Sequence, residues 1–324
     1  MKGKRVLITG GLGFIGSNLA HACVAKGAAV TIFDAQIPTS GANWANLVGI
    51  TDKVKVVNGN ISDIEHIVPV VKDQDIVFNC AASTSHVLSI KEPVMDLATN
   101  AHGVLNVLDV LRLYNKDAIF VQVGTTTQLG KQHVSCADEE HPEFPLDIYS
   151  AHKSVAEKYT LIYGRVHGMK VVAVRLPNVY GPRGAIKSAA LTFNNYFIGL
   201  ALQSKPITVF GDGAQQRNII FVTDAVEGLI AAALNPAAYG DVFFCTGDEH
   251  LSIADIAKTT ARVLGNSSVS FVEWPEGSIK TDVGDVCISN AKIKKILNWS
   301  PQTALEAGLI KTKEYFIKHL EAYV

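Results

Sequence analysis

The sequence predicts an α/β fold: a doubly wound parallel β-sheet with helices on both faces, followed by a smaller, partly discontinuous domain. The first observation is that short apolar, β-favouring runs alternate with stretches long enough to form crossover helices through the first half of the chain. The second is that loops and shorter elements replace this alternation after Leu176. With 324 residues, of which 48% are apolar, the chain can bury one large domain or two domains that share a cleft.

Six strands are expected in the first half, and they set the position of the site. They comprise residues 5–9, 30–33, 54–57, 76–80, 119–123 and 171–176. Ligands of parallel sheets bind beyond the carboxyl ends of the strands. Residues that directly follow these strands, such as Ala81, Ala82, Gly124 and Thr125, should therefore line one crevice.

The second half begins with a loop over residues 177–184, followed by a helix, a strand over residues 207–210 and a glycine turn at residues 211–213. We expect residues 1–176, together with about 215–240, to form the larger domain. Residues 177–214 and 241–324 would form the smaller domain, which would bind the substrate.

The first strand runs into a glycine-rich turn that contains Gly10, Gly13 and Gly16, and a helical run follows. Strand, glycine turn and helix form the arrangement of a Rossmann dinucleotide site, in which the backbone approaches the pyrophosphate at the helix N-terminus. Asp34 ends the second strand, where a carboxylate accepts hydrogen bonds from the adenosine ribose. No arginine lies beside it, so the sequence favours NAD over NADP. The alternative is a glycine turn that binds no ligand.

Tyr149 and Lys153 stand four residues apart, so on a helix they project from one face. A phenol is a weak acid, and a nearby ammonium lowers its pKa towards the working range. The pair could therefore move a proton on or off a sugar hydroxyl while a cofactor carries a hydride. The alternative is a tyrosine and a lysine on a solvated helix face.

Composition excludes several other classes of function. A net charge of -1 and the lack of Lys/Arg-rich runs argue against nucleic-acid or membrane partners. We expect no signal peptide, since the first strand begins close to Met1, and no apolar stretch is long enough to span a bilayer. The five scattered cysteines are expected to be reduced and to bind no metal, since no Cys/His spacing matches a zinc site. These features favour a cytoplasmic location.

The ordered motifs resemble the extended short-chain dehydrogenases/reductases, in particular the UDP-glucose 4-epimerase-like nucleotide-sugar epimerases and dehydratases. The resemblance extends over nearly the whole chain. It rests on the glycine turn and on Asn60, which stands in a motif that usually has Asp at this position. It rests further on three features later in the chain: the small pair Ala81 and Ala82 after the fourth strand, Asn100 in the next helix, and the pair Tyr149 and Lys153.

The resemblance implies roles for individual residues. Thr125, Tyr149 and Lys153 would be catalytic, with the Thr125 hydroxyl bonded to the reacting sugar oxygen. NAD would contact Gly10, Gly13, Phe14, Ile15, Gly16, Asp34, Asn60, Ile61, Ala81, Ala82, Asn100, Tyr149, Lys153 and Pro177. The nucleotide sugar would contact Thr84, Ser85, Thr126, Asn178 and Arg217, the arginine at its diphosphate. The alternative for the threonines at positions 125–127 is that they are only β-favouring residues at the end of a strand. The alternative for Arg217 is a structural salt bridge.

Residues that differ from the family pattern indicate which of the family's reactions this chain catalyses. The related dehydratases carry Asp-Glu after the catalytic Thr, and the decarboxylases carry a nearby Glu, whereas this chain has Thr126 and Thr127. The sequence therefore favours a C4 epimerase, in which Tyr149 deprotonates the 4-hydroxyl and a transient 4-keto sugar accepts hydride on its other face. The alternatives are a dehydratase or reductase of the same family, or a non-catalytic NAD-binding protein.

Other departures are Asn79, Leu129 and Asn218, and a C-terminal stretch with only Lys280 where relatives place an arginine.

Any of three histidines near the crevice, His86, His133 and His141, could be a second acid or base. The resemblance also implies a homodimer formed through the helix after Asn100 and the helix that carries Tyr149.

Overall fold

The computed structural model describes residues 1–265, 267–274 and 283–324. Its centre is a seven-stranded parallel sheet with the strand order β10-β6-β5-β4-β1-β2-β3. The strands are β1 Arg5–Thr9, β2 Ala29–Asp34, β3 Val54–Asn58, β4 Ile76–Asn79, β5 Ile119–Thr125, β6 Lys170–Leu176, β7 Asn178–Tyr180, β8 Ile207–Phe210, β9 Gln216–Phe221, β10 Val242–Phe244, β11 His250–Ser252 and β12 Val269–Val272. The predicted doubly wound α/β fold is confirmed.

Helices cover both faces of this sheet. They are α1 Phe14–Ala25, α2 Ile64–Val71, α3 His86–Lys91, α4 Pro93–Leu97, α5 Gly103–Tyr114, α6 Ile148–His167, α7 Phe193–Leu202, α8 Val222–Leu234, α9 Ile253–Leu264, α10 Ala291–Leu297 and α11 Leu305–His319. Helices α1 and α8 pack on one face, and α2, α5 and α6 pack on the other. The inner strands β1, β4, β5 and β6 are thus buried on both sides, which explains their largely apolar sequences, whereas the edge strand β3 is only partly buried.

Helix α6 positions the candidate catalytic pair, and both of its ends are capped. The Asp147 carboxylate accepts a hydrogen bond of 2.8 Å from the backbone N–H of Ser150 at the N-terminus. At the other end Gly168 adopts φ 66°, a left-handed conformation that glycine tolerates without a steric penalty. Both caps are local in sequence, and they explain why α6 begins after Asp147 and ends before Gly168.

A second apolar core lies outside the main sheet. It is formed by α7, α9 and α11 with a three-stranded sheet in the order β11-β9-β7 and a two-stranded sheet of β12 and β8. Two strands differ from the expected division of the chain: β9 lies in this smaller sheet, while β10 pairs with β6 at the edge of the main sheet. The physical reason is that a short apolar run has no local feature that specifies which sheet edge it will join.

The expectation of five reduced cysteines is wrong for two of them. Cys136 and Cys287, 151 residues apart in sequence, form a disulfide with a Cα–Cα distance of 4.5 Å. Backbone hydrogen bonds bring their loops together, since the Ala137 N–H donates to Cys287 O and the Ser289 N–H donates to Ala137 O. This long-range pairing leaves no trace in cysteine spacing. The other three cysteines are free.

Within the described ranges, no helix is both long and apolar enough to cross a membrane.

Candidate active site

A cleft of about 380 Å³ opens above the carboxyl ends of the main-sheet strands, as the strand order predicts. Sequence-predicted site residues from distant parts of the chain meet on its walls. Those lining it are Gly10, Gly13, Phe14, Ile15, Gly16, Asp34, Asn60, Ile61, Ala81, Ala82, Thr84, Thr125, Thr126, Tyr149, Lys153, Pro177 and Asn178.

The glycine turn leaves no room for side chains. Gly10 has φ 66°, and a Cβ built there would lie 2.8 Å from the Ala81 Cα. A Cβ on Gly16 would lie 2.3 Å from the Gly10 carbonyl oxygen. Both distances are below any normal contact, so the turn requires glycine for close packing between β1, β4 and α1. The open backbone at the start of α1 fits a dinucleotide pyrophosphate.

Asp34 is held at the edge of this turn. One carboxylate oxygen accepts a 2.9 Å hydrogen bond from the Leu12 N–H, and the other accepts a 2.7 Å bond from the Gln36 N–H. Its side chain lines the cleft at the end of β2. These backbone donors orient the carboxylate and leave it lone pairs with which to accept ribose hydroxyls.

Asn79, a departure from the family pattern, belongs to a buried polar chain beneath the cleft. The Thr9 hydroxyl donates to Asn79 Oδ1 at 2.6 Å, and Asn79 Nδ2 donates to Gln122 Oε1 at 2.9 Å. The Ala81 N–H donates to the same Thr9 hydroxyl at 3.2 Å. This chain links β1, β4 and β5, so an asparagine here satisfies buried polar groups of its neighbours.

Asn100 supports the cleft from behind. It is buried and is not among the described side chains that line the cavity. Its Nδ2 donates to Ser83 O at 2.8 Å, and its Oδ1 accepts from the Ser83 N–H at 3.1 Å. Asn100 therefore holds the loop after β4, on which Ala81 and Ala82 stand.

Tyr149 and Lys153 lie side by side on the buried face of α6. The Lys153 Nζ donates to the Val123 carbonyl at 2.6 Å. Burial lowers the pKa of Lys153 to about 8, although nearby negative groups, among them Asp96, act in the opposite direction. The pKa of Tyr149 is raised, chiefly by burial, despite its hydrogen bond with Thr125. The expected lowering of the phenol pKa is therefore wrong for this structure, since burial and the nearby carboxylates of Asp147 and Asp96 raise the pKa more than the Thr125 hydrogen bond lowers it.

Two further hydroxyl groups, those of Thr127 and Ser150, form a hydrogen-bonded chain with Thr125 next to Tyr149. The Thr125 and Thr127 Oγ1 atoms are 3.0 Å apart, and the Ser150 hydroxyl donates to Thr127 at 2.9 Å. Thr126 and Thr127 both line the cleft. The positions after Thr125 thus supply hydroxyls, which bind and orient but exchange no proton at neutral pH.

The three candidate histidines separate in space. His86 lines the cleft, and its ring meets the Tyr149 ring edge to face at a centroid distance of 4.8 Å. His133 and His141 stack on each other 6.3 Å apart, and neither belongs to the described lining of the cleft.

Two expected substrate contacts lie elsewhere in the structure. The Ser85 hydroxyl caps α3 by accepting from the Leu88 N–H at 3.2 Å. Arg217 stands on β9, where its Nη1 donates to Gly284 O at 2.6 Å, and it is absent from the described lining. Backbone groups bind both side chains in this structure, one from the adjacent helix turn for Ser85 and one from a loop 67 residues away for Arg217. Lys280 lies outside the described residues.

Polar residues of the cleft wall that the sequence did not indicate include Thr192 and Asn195 at the start of α7. Asn195 Oδ1 accepts from the Gly181 N–H at 3.3 Å, which ties α7 to the loop after β7. They belong to no family motif quoted above, and only the packing of α7 against β7 brings them to the cleft.

A model of the NAD dependent epimerase/dehydratase family matches residues 6–244. UDP-glucuronic acid decarboxylase 1 of Xenopus tropicalis is 30% identical over 324 residues, covering 98% of this chain and 73% of that protein. A putative UDP-glucose 4-epimerase of Methanocaldococcus jannaschii is 29% identical over 306 residues, covering 94% of this chain and 95% of that protein. The crystal structure of Thermotoga maritima UDP-glucose 4-epimerase with UDP-glucose matches with a TM-score of 0.88 at 26% identity, covering 98% and 99% of the two chains.

The fold and the cleft define an enzyme with a Rossmann-type dinucleotide site. The chain belongs to the NAD dependent epimerase/dehydratase family. Its relatives include nucleotide-sugar epimerases and decarboxylases, so the shared description is an NAD-dependent enzyme of the nucleotide-sugar epimerase, decarboxylase and dehydratase type.

Proposed function

We propose that this protein is a nucleotide-sugar epimerase that inverts C4 of a nucleoside-diphosphate hexose. One observation carries the proposal: Thr125, Tyr149 and Lys153 meet at the cleft, while the next two positions, Thr126 and Thr127, contribute only hydroxyls. Oxidation and return at C4 need a single proton-exchanging group. A dehydration needs an additional acid, which these positions do not supply.

The residues that would hold NAD fit the group. The glycine turn would accept the pyrophosphate, Asp34 the adenosine ribose, and Asn60 the adenine edge. Ala81, Ala82 and Pro177 line the cleft between that turn and the catalytic side chains. When bound there, NAD would supply the hydride acceptor and donor that the reaction at C4 requires.

Residues of this chain would transfer the proton of the 4-hydroxyl group. Tyr149 takes it from the 4-hydroxyl, and Thr125 hydrogen-bonds the same oxygen and fixes its position. Burial raises the pKa of Tyr149, so a phenolate there would need a positive partner, and the proposal assigns that role to Lys153, one turn further along α6. After the keto sugar turns over, Tyr149 returns the proton to the oxygen. Asn178, Thr84 and Thr126 would bind the sugar and its diphosphate.

Oxidative decarboxylation of a nucleotide-linked uronic acid is the second candidate. It is favoured by the 30% identity with UDP-glucuronic acid decarboxylase 1, since the same C4 ketone would labilise a C6 carboxylate. The buried Glu157 does not supply a free acid, because its carboxylate is bound by Arg175 Nε at 2.7 Å and by Gln128 Nε2 at 2.9 Å. We therefore rank it below C4 epimerisation.

One experiment separates these functions. Purified protein is denatured and the released dinucleotide identified, while native protein is incubated with UDP-, GDP-, CDP- and dTDP-sugars and the products analysed by mass and NMR. Bound NAD with a C4-inverted product of unchanged mass is the expected result. Loss of carbon dioxide would establish the decarboxylase, loss of water a dehydratase, and bound NAD without turnover a non-catalytic protein.

The homodimer remains a proposal. Residues 104–111 of α5 lie mostly in the core, so the apolar side chains of this stretch form no exposed surface. Exposed apolar side chains remain at the end of α5 and along α6: Leu113, Tyr114, Val155, Ile162 and Val166. Val166→Lys should then yield a monomer by light scattering, whereas a wild-type protein that is already monomeric would refute the dimer.

The cytoplasmic location also remains a proposal. The Cys136–Cys287 bridge argues against it, because disulfides are rare in most reducing compartments.

A further inference from the structure

His86 is the first residue of α3, directly after the N-cap Ser85, and its ring lines the cleft beside Tyr149. The two rings are 4.8 Å apart at an angle of 73°. The His86 side chain is 43% exposed, so a bound sugar can contact it.

A buried carboxylate orients this imidazole. Asp147 Oδ2 is 2.7 Å from His86 Nδ1, and the Asp147 side chain is only 8% exposed. Burial alone would raise the pKa of Asp147, but hydrogen bonds from His86 and Ser150 outweigh burial and lower it. Asp147 is therefore a carboxylate that accepts a proton-bearing Nδ1. This leaves His86 Nε2 as the nitrogen that can exchange a proton, as in other Asp–His pairs.

The ionisable groups on the described cleft wall are few. Asp34 belongs to the ribose end, and burial raises the pKa of Cys80 to about 12. The remaining groups are Tyr149, Lys153 and His86. Tyr149 and Lys153 serve the C4 oxygen in the proposed function, so His86 is an acid–base group for which that reaction has no use.

We propose that His86 Nε2 removes and returns a proton on the sugar carbon next to the C4 ketone, either C3 or C5. The inference rests on the 4-keto sugar of the proposed function, because only the ketone makes those C–H bonds acidic. His86 takes the proton, and the C–H electron pair forms a carbon–carbon double bond while the ketone oxygen becomes an enolate oxygen. Thr125 and Tyr149 donate hydrogen bonds to that oxygen. Return of a proton from His86 restores the ketone, so nothing is lost except the original hydrogen, which exchanges with water.

The test is turnover in D₂O by the holoenzyme, with each nucleotide sugar of the panel, followed by NMR and mass analysis of the recovered sugars. C4 epimerisation by itself returns the same hydride and places no deuterium on carbon. We expect wild-type protein to introduce one deuterium at C3 or C5. His86→Asn should reduce this exchange at least about 100-fold, since general acid–base groups contribute roughly 10²–10⁴-fold.

His86→Asn keeps a donor towards Asp147 while removing Nε2, so it is the primary variant. Asp147→Asn keeps a helix-capping side chain but removes the carboxylate, and it should also slow exchange, which covers the case in which the first variant does not fold. His133→Asn, outside the cleft, is the matched control and should exchange like wild type.

The outcomes separate the two proposals. C4 inversion without carbon-bound deuterium in wild type overturns the role of His86 and leaves the epimerase proposal intact. Exchange that is equally fast in wild type and in both variants also overturns it. If no sugar of the panel is inverted or exchanged, the proposed function fails and this inference fails with it.

Discussion

Tyr149→Phe tests the central residue of the site with the smallest possible change, since it removes one oxygen. Tyr149 is buried, and its hydroxyl is bonded to Thr125, whose own Oγ1 retains Thr127 as a partner at 3.0 Å. The variant should therefore leave no orphaned polar group and lose only about 0.5–1.5 kcal/mol of stability. Removing the only group that exchanges the C4 proton should lower turnover by about 10²–10⁴-fold.

The assay is the initial rate of C4 inversion, with bound NAD and a thermal melt measured on the same samples. Tyr163→Phe is the matched control: it makes the same change on the same helix, where the hydroxyl donates to Asp109 at 3.3 Å. Its rate should equal that of wild type. A Tyr149→Phe variant that folds, holds NAD and keeps more than a few percent of the activity would remove Tyr149 from its role.

Three further predictions follow from single groups. Asp34→Ala should lower the affinity for NAD in binding titrations and reduce the preference for NAD over NADP. An unchanged preference would refute the ribose contact. Denatured, unreduced protein should show three reactive thiols, and reduction should raise the number to five, whereas five at the outset would exclude the Cys136–Cys287 disulfide. The pKa of Lys153 is lowered from 10.5 to about 8, so the unfolded chain binds more protons in this window and stability gains from Lys153 as pH rises through it. Lys153→Met should remove that gain from pH-dependent thermal melts, and an identical pH profile would contradict the lowered pKa.

The local parts of the site were predictable from sequence. The glycine turn depends on neighbours in sequence, and the four-residue spacing of Tyr149 and Lys153 puts them on one helix face wherever that helix lies. Asp34 follows from the end of β2. In each case the information is contained within a few residues, because helix periodicity and backbone geometry are local properties.

Other features of the site depend on an environment that is not local in sequence. The Arg217 guanidinium fits a phosphate in isolation, but nearby carbonyl groups bind it in the structure. The Tyr149 pKa depends on burial, and burial depends on everything that packs over α6. Residue type alone therefore predicted the kind of chemistry without predicting its electrostatic setting.

By itself, the sequence determined the doubly wound fold, the glycine turn after β1 and the placement of Tyr149 and Lys153 on one helix face, since these depend on short-range periodicity and backbone freedom. Only the tertiary structure decided that β10 completes the main sheet, that Cys136 meets Cys287, and that Asp147 holds His86 across 61 residues of chain. The physical reason is that such pairings form between surfaces created by folding. Many distant partners would satisfy the same local sequence, and packing of the whole chain selects one of them.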